Sequence, residues 1–188
     1  EDKDIFFVEV KNGKEAKEGT SRYNVEELEA TADILKDLMK TVVNPTSVSI
    51  SAIFPYAAQI EKFQKKYKEL INSAKKHFKS FEIDTVDAFQ GRETDIVLVN
   101  TVVTTSQGNF LNEFRRINVS MSRARDKLFV FGNSISLGQI EMNVNGGNKR
   151  TYFREIIEDI RRYGKIIEFN GVDGGLDYGS NKPKIKVI

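Results

Sequence analysis

Along the chain the apolar positions switch repeatedly between strand-like runs and a spacing near 3.6. Asp4 to Val10 (DIFFVEV) is β-rich, and a turn-like stretch, Lys11 to Arg22, separates it from Asn24. Val25, Leu28, Ala32, Leu35 and Met39 then repeat at helical spacing, with Asn24 placed to cap that helix and Glu27 at the capping-box position. Asn44-Pro45 ends it, and Val48 to Phe54 (VSISAIF) predicts a strand. Pro55 opens a second helix, where its missing N–H costs nothing, and Ile60, Phe63, Tyr67, Leu70 and Ile71 share one face. Strands are predicted at Phe81 to Val86 and Asp95 to Val103; the second is nearly continuous in apolar residues, as a strand buried on both faces requires. A helix from about Asn112 to Arg125, a strand at Lys127 to Phe131 closed by Gly132-Asn133, a helix at Lys149 to Tyr163 and a strand at Lys165 to Phe169 complete the pattern.

This succession predicts an α/β fold of three layers, a mostly parallel sheet flanked by helices, with ligands taken at the carboxyl ends of its strands. Residues 1–169 form one domain on this reading. The Gly-rich, basic stretch 170–188 is expected to be loop or partly disordered, and Asn143 to Asn148 (NVNGGN) an exposed loop.

Composition removes several chemistries. With no Cys among 188 residues there is no disulfide scaffold, thiolate-bound metal or thiol nucleophile, and the single His77 excludes a histidine-rich metal centre and argues against a Ser-His-Asp triad. No metal-ligating residues are therefore expected. No apolar run approaches the roughly 20 residues that cross a bilayer, and Glu1-Asp2-Lys3-Asp4 is unlike a signal peptide. The expected setting is intracellular, cytoplasmic or, in a eukaryote, nuclear, with no membrane partner.

The net charge of +2 conceals an uneven distribution. Residues 1–38 carry eleven acids against six bases, whereas residues 62–79 carry seven lysines against Glu69 alone. A second basic cluster gathers Arg115, Arg116, Arg123, Arg125 and Lys127.

Three polar segments stand beside predicted strands. Thr85 to Glu93 (TVDAFQGRE) combines a flexible Gly91 with Gln90, Arg92 and Glu93, suited to a phosphate or ribose contact; residue types alone equally allow a polar connection with an exposed Arg-Glu pair. Asn112 to Arg125 (NEFRRINVSMSRAR), read as a helix, puts Arg116, Ser120 and Arg123 on one face and Phe114, Ile117, Met121 and Ala124 inward. Its bases would stabilise a polyanion, or simply form a solvated face. Ile53 to Gln59 (IFPYAAQ) offers Tyr56 to stack on a base and Gln59 to reach a phosphate or base edge, or a Tyr that closes the top of the core.

In this order the three segments resemble the second motor domain of superfamily 1 helicases. The branch that includes the Upf, Dna-type nuclease-helicase, senataxin and immunoglobulin-mu-binding proteins is the most similar. TVDAFQGRE resembles its motif V, and Arg115-Arg116-Ile117-Asn118-Val119-Ser120-Met121-Ser122-Arg123-Ala124-Arg125 its motif VI, with Ser120 and Ser122 in place of the usual Ala and Thr. The likeness runs from about Thr20 to Asn133 and takes in Ser21, Asn24 and Glu27, although Val25 stands where an Arg is common.

The resemblance implies a RecA-like fold without its own P-loop. It implies that Arg123 is an arginine finger reaching a γ-phosphate, that Glu93 bonds the nucleotide ribose, and that Gly91 lets the backbone approach. Gln90 and Arg92 would couple the nucleotide cleft to the strand surface, Thr85, Asp87 and Tyr56 would contact nucleic acid or hold its loops, and Arg116 and Asn118 would support motif VI. No GxxxxGK[ST] occurs in the chain, nor a strand ending in Asp-Glu. In this family those parts, and most of the hold on Mg²⁺, lie in a first motor domain that would precede residue 1. The implied cofactor is ATP with Mg²⁺; the implied partners are single-stranded DNA or RNA and that upstream domain. A non-catalytic α/β module that binds nucleic acid through Lys62 to Lys79 is the alternative.

Overall fold

A computed structural model describes residues 4–89, 91–105, 110–144, 148–150 and 152–179. In chain order the elements are β1 (Asp4–Glu9), β2 (Ala16–Glu18), β3 (Ser21–Tyr23), α1 (Val25–Thr41), β4 (Ser49–Phe54), α2 (Ala57–Lys66), α3 (Lys68–His77), β5 (Ser80–Thr85) and β6 (Thr94–Asn100). They continue with α4 (Phe110–Met121), β7 (Ala124–Gly132), α5 (Ser134–Gln139), β8 (Met142–Val144), β9 (Asn148–Arg150), α6 (Tyr152–Tyr163), β10 (Lys165–Phe169) and β11 (Leu176–Asp177). A seven-stranded sheet in the order β11-β10-β1-β7-β6-β4-β5 is parallel throughout except for β10 with β11. The fold is the expected three-layer α/β sandwich.

Alternation along the central strands divides the core by face. Phe6, Val8, Ile50, Ala52, Ile96, Leu98, Phe129 and Phe131 pack beneath α1, α2 and α3, with Phe6 stacked on Phe129 at 4.6 Å between ring centroids. Phe7, Ile53, Val97, Val99, Leu128 and Val130 face α4, α5 and α6 through Ile117, Met121, Leu137, Phe153, Ile157 and Ile160. A strand buried on both faces has no room for polar alternation, which is why β6 and β7 read as apolar runs.

Several local expectations change. Lys11 to Arg22 contains the β2–β3 hairpin rather than turn alone, and α5 occupies Ser134–Gln139. Pro55 stands before the cap of its helix: Tyr56 is the N-cap, and the predicted single helix breaks at Tyr67 into α2 and α3. Strand β6 ends at Asn100, before Val103, because Val102 is held at a φ of 65°. Of NVNGGN, Asn143, Val144 and Asn148 lie in the β8–β9 hairpin, and residues 145–147 lie outside the described residues. Of the stretch 170–188, β11 pairs with β10 and Tyr178 Oη donates to Asp37 Oδ2 at 2.7 Å, so this part covers the sheet edge and α1. Residues 180–188 lie outside the described residues.

Gly164 joins α6 to β10 where no side chain fits. A Cβ there would lie 2.7 Å from Ile5 O and 2.9 Å from Ile160 O, both backbone atoms. Gly164→Ala is therefore expected to destabilise the domain by about 1–3 kcal/mol in a denaturant titration, with an unchanged midpoint arguing against this close approach.

Candidate functional site

Because β6 and β7 are parallel neighbours, the residues entering them emerge side by side at the amino-terminal edge of the sheet. Thr94 N donates to Arg123 O at 3.2 Å, which joins the two motif segments directly. Arg125 Nε donates to Glu93 Oε2 at 3.1 Å, and its NH1 stands 4.0 Å from Asp95 Oδ1. Asp95 Oδ2 in turn accepts from Ser49 N at 2.8 Å and Ser49 Oγ at 2.6 Å, anchoring the charges to β4.

Helix α4 ends at Met121, so Arg123 lies in the turn into β7, not on a shared helical face with Arg116 and Ser120 as expected. Ile117 and Met121 are buried as predicted; Ala124 is buried within β7, and the side chain of Phe114 is outside the described residues. Arg123 is half-buried, and its Nε is buried with no hydrogen-bond partner among the described residues. Lys127 leaves the predicted polyanion-facing cluster: it is buried in β7, with Nζ 3.1 Å from Asp4 Oδ2 and 3.6 Å from Asp126 Oδ2. Partial burial pushes the Asp4 carboxyl up, but Lys127 and Lys165 together hold it below the usual range.

Between β5 and β6 the described residues form no helix; the connection crosses β4 on the second face and buries Val86 and Phe89 there. Arg92 ties this crossing to β5, donating to Glu82 Oε2 at 2.5 Å and to Asp84. Gly91 takes a φ of +81° and is exposed, so the turn before Glu93 uses glycine's freedom. Gln90 lies outside the described residues. Asp87 is gripped by Arg116 of α4, Nε to Oδ1 at 2.7 Å with a second bond from NH2 to Oδ2. The two motif segments are thus joined at Asp87–Arg116, at Thr94–Arg123 and at Glu93–Arg125.

Thr85, the last residue of β5, and Tyr56, just after β4, stand at the opposite, carboxyl-terminal edge. Thr85 Oγ1 accepts from Ala88 N at 3.2 Å, and half-buried Tyr56 packs against the second core. The candidate residues therefore divide between two edges of one sheet rather than gathering where strands end.

Gln59, expected to reach a phosphate or base, is fully buried. Its Oε1 accepts from Asn24 N at 2.7 Å and its Nε2 donates to Asn24 O at 3.2 Å and Asn100 Oδ1 at 3.1 Å. Asn24 caps α1 as predicted, accepting from Glu27 N at 3.2 Å, but Glu27 does not complete the capping box. With Asn24 N taken by Gln59, the buried Glu27 carboxyl accepts from Val102 N at 3.0 and 2.9 Å and from Thr101 Oγ1 at 3.2 Å. Burial pushes the Glu27 carboxyl up to about 8, against these hydrogen bonds. The only sequence sign of this network was the polar identity of Asn24, Glu27, Gln59 and Asn100 within apolar surroundings.

On the lysine-rich face, Lys62 pairs with Glu18 at 2.5 Å over the Tyr23 ring, and Lys66 pairs with Glu29 at 2.6 Å. Lys65, Lys68, Lys75 and Lys76 are exposed. Among the described residues no group of His, Asp or Glu is arranged to hold a metal ion, and no helix is long and apolar enough to cross a membrane.

Residues 1–135 match the family described as AAA domain. The chain is 37% identical over 136 residues to an uncharacterised ATP-dependent helicase of Methanocaldococcus jannaschii, covering 72% of this chain and 19% of that protein. It is 36% identical over 130 residues to helicase sen1 of Schizosaccharomyces pombe, covering 66% of this chain and 8% of that protein. It is 37% identical over 131 residues to the DNA polymerase alpha-associated DNA helicase A of Saccharomyces cerevisiae, covering 69% of this chain and 17% of that protein. The chain thus spans a fifth or less of the length of these relatives.

Proposed function

Because the chain belongs to the superfamily 1 helicases, as a C-terminal domain of the AAA-domain family, we propose that it forms one wall of an ATP cleft in a longer motor and part of its track for single-stranded DNA or RNA. The observation that carries this reading is the bond from Thr94 N to Arg123 O, which sets Arg123 and Glu93 together on one edge. An edge bearing an arginine whose Nε has no partner among the described residues, an exposed carboxylate and a positive-φ glycine fits a nucleotide presented from a facing domain. ATP with Mg²⁺ would supply the phosphoryl group, the metal being held mainly by the facing domain.

Arg123 offers its guanidinium to the oxygens where negative charge builds as the phosphoryl group moves. Glu93, steadied by Arg125, accepts from ribose hydroxyls, and Gly91 keeps the backbone beside it free of a side chain. Arg92 lies in the crossing that runs between the two edges, so a shift at Glu93 is passed towards Thr85, Asp87 and Tyr56, a coupling in which Gln90 would share. At that second edge the strand backbone is held, Asp87 acting through its grip on Arg116. Domain closure on ATP and opening after hydrolysis would then move the strand.

On this reading the isolated chain does not hydrolyse ATP, since it has no Walker A or B segment. A phosphate-release assay is expected to show background rates for the chain alone. Joining it to a first motor domain should bring turnover that single-stranded nucleic acid stimulates. Turnover by the chain alone would overturn the proposal.

A further inference from the structure

Outside the two motifs, one carboxylate is surrounded by donors that an anion of a ligand would also use. Glu15, just ahead of β2, has Oε2 accepting from Thr104 N at 2.9 Å and Thr105 N at 3.4 Å. Its Oε1 accepts from Thr105 Oγ1 at 2.5 Å and from Arg22 NH1, on β3, at 2.9 Å. Its own N–H donates to Thr104 Oγ1 at 3.1 Å. Two successive backbone N–H groups, a hydroxyl and a guanidinium thus converge on one anionic group whose side chain is only 8% exposed. Burial pushes the Glu15 carboxyl up, and the bonds from Thr105 and Thr104 together with Arg22 outweigh it, so the group is held below its usual range and stays ionised.

None of these donors is specific for a carboxylate. Backbone N–H pairs, hydroxyls and arginine are the groups that hold phosphodiester oxygens. Their position favours a strand. Thr104 and Thr105 follow the carboxyl end of β6, and β6, β4 and β5 are consecutive in the sheet, so this loop lies in line with Tyr56 and Thr85. The β2–β3 hairpin is fastened to the same edge, Ser21 Oγ accepting from Ala58 N at 3.1 Å.

We propose that the donors around Glu15 form a binding site for a phosphodiester of a single strand, which Glu15 plugs until the strand replaces it. The hairpin is then an intrinsic competitor for one strand phosphate, exchanging anion for anion without leaving Arg22 or the Thr105 N–H uncompensated. The inference rests on the strand-track part of the proposed function and not on the nucleotide edge.

Single-strand binding by the full-length protein, measured by fluorescence anisotropy with a labelled homopolymeric oligonucleotide across a salt series, tests it. Glu15→Gln should bind several-fold tighter at every salt concentration and Glu15→Ala tighter still, because no carboxylate then competes with the strand phosphate for these donors. Adding Thr105→Val should cancel much of the gain. Glu26→Gln, the same charge change in the first turn of α1, should leave the affinity nearly unchanged. A purely structural Glu15 predicts the reverse, equal or weaker binding with a lowered melting temperature, and either that result or an equal gain from Glu26→Gln overturns the proposal. If the wild type binds a strand and Glu15→Gln gains nothing, only this inference fails; if no variant binds, the strand track fails with it.

Discussion

In the full-length protein, Arg123→Ala is expected to lower nucleic-acid-stimulated ATP turnover by about 10³–10⁵-fold, the range over which an arginine finger acts. The loss belongs to the chemical step, because the guanidinium meets charge that develops only as the phosphoryl group transfers. Arg123 is suited to such a role by its situation. Its backbone is fixed by Thr94 N and Ser120 O, while its Nε has no hydrogen-bond partner among the described residues. Truncation therefore removes a reaching group that forms no ion pair among the described residues, and the melting temperature should barely move. Arg123→Lys should also fail, since an ammonium lacks the planar fork that spans two oxygens. Phosphate release at saturating strand measures the effect, and a variant within tenfold of wild type would eliminate Arg123 as the finger. Strand affinity in the absence of nucleotide should be unchanged, which separates a cleft defect from a track defect.

The second large effect concerns stability. Glu27→Ala is expected to cost about 3–5 kcal/mol, because it strands a buried N–H and a buried hydroxyl and opens space at the start of α1. Val102 makes the site more sensitive. A β-branched residue at a φ of 65° carries about 1–2 kcal/mol of strain, and Val102 N bonds both Glu27 oxygens. Without that clamp the loop after β6 has reason to relax and draw Thr101 out of the core.

A pH dependence follows from the same carboxyl. Burial raises its folded-state value from an ordinary 4.5 to about 8, so between those values the folded protein holds a proton that the unfolded chain has released. The contribution is complete below 4.5, falls as pH rises through the window and is gone above 8. Urea titrations at about pH 5 and about pH 9 should show wild type losing a few kcal/mol at the higher pH, with Glu27→Gln losing much less. Stability that rises across this window in wild type but not in Glu27→Gln would contradict the assignment.

How far each feature could be read in the chain depended on the range of the interactions that make it. Strands β4, β6 and β7 and helix α1 are written in periodicity within a few residues, and Asn24 as a cap is a bond to a residue three positions on. The three-residue strands β2 and β3 are not: Lys17 faces Arg22 across a polar hairpin with no apolar alternation to reveal it. Glu27 shows the limit most clearly. Its spacing from Asn24 fits a capping box, yet its true partner, Val102, is 75 positions away, and the Asn24 N–H it would have taken is claimed by Gln59.

By itself, then, the order of apolar runs and polar segments determined the α/β class and the family resemblance, because both are properties of local sequence. It also singled out Arg123 and Glu93. Only the tertiary structure decided that these two meet through Thr94 at one edge while Tyr56 and Thr85 stand at the other, since strand order and direction assign each loop its edge. It alone decided that Lys127 is buried with Asp4 and that Gln59 is buried in a polar network, because burial is conferred by distant segments packing together rather than by a residue's type or its neighbours in the chain.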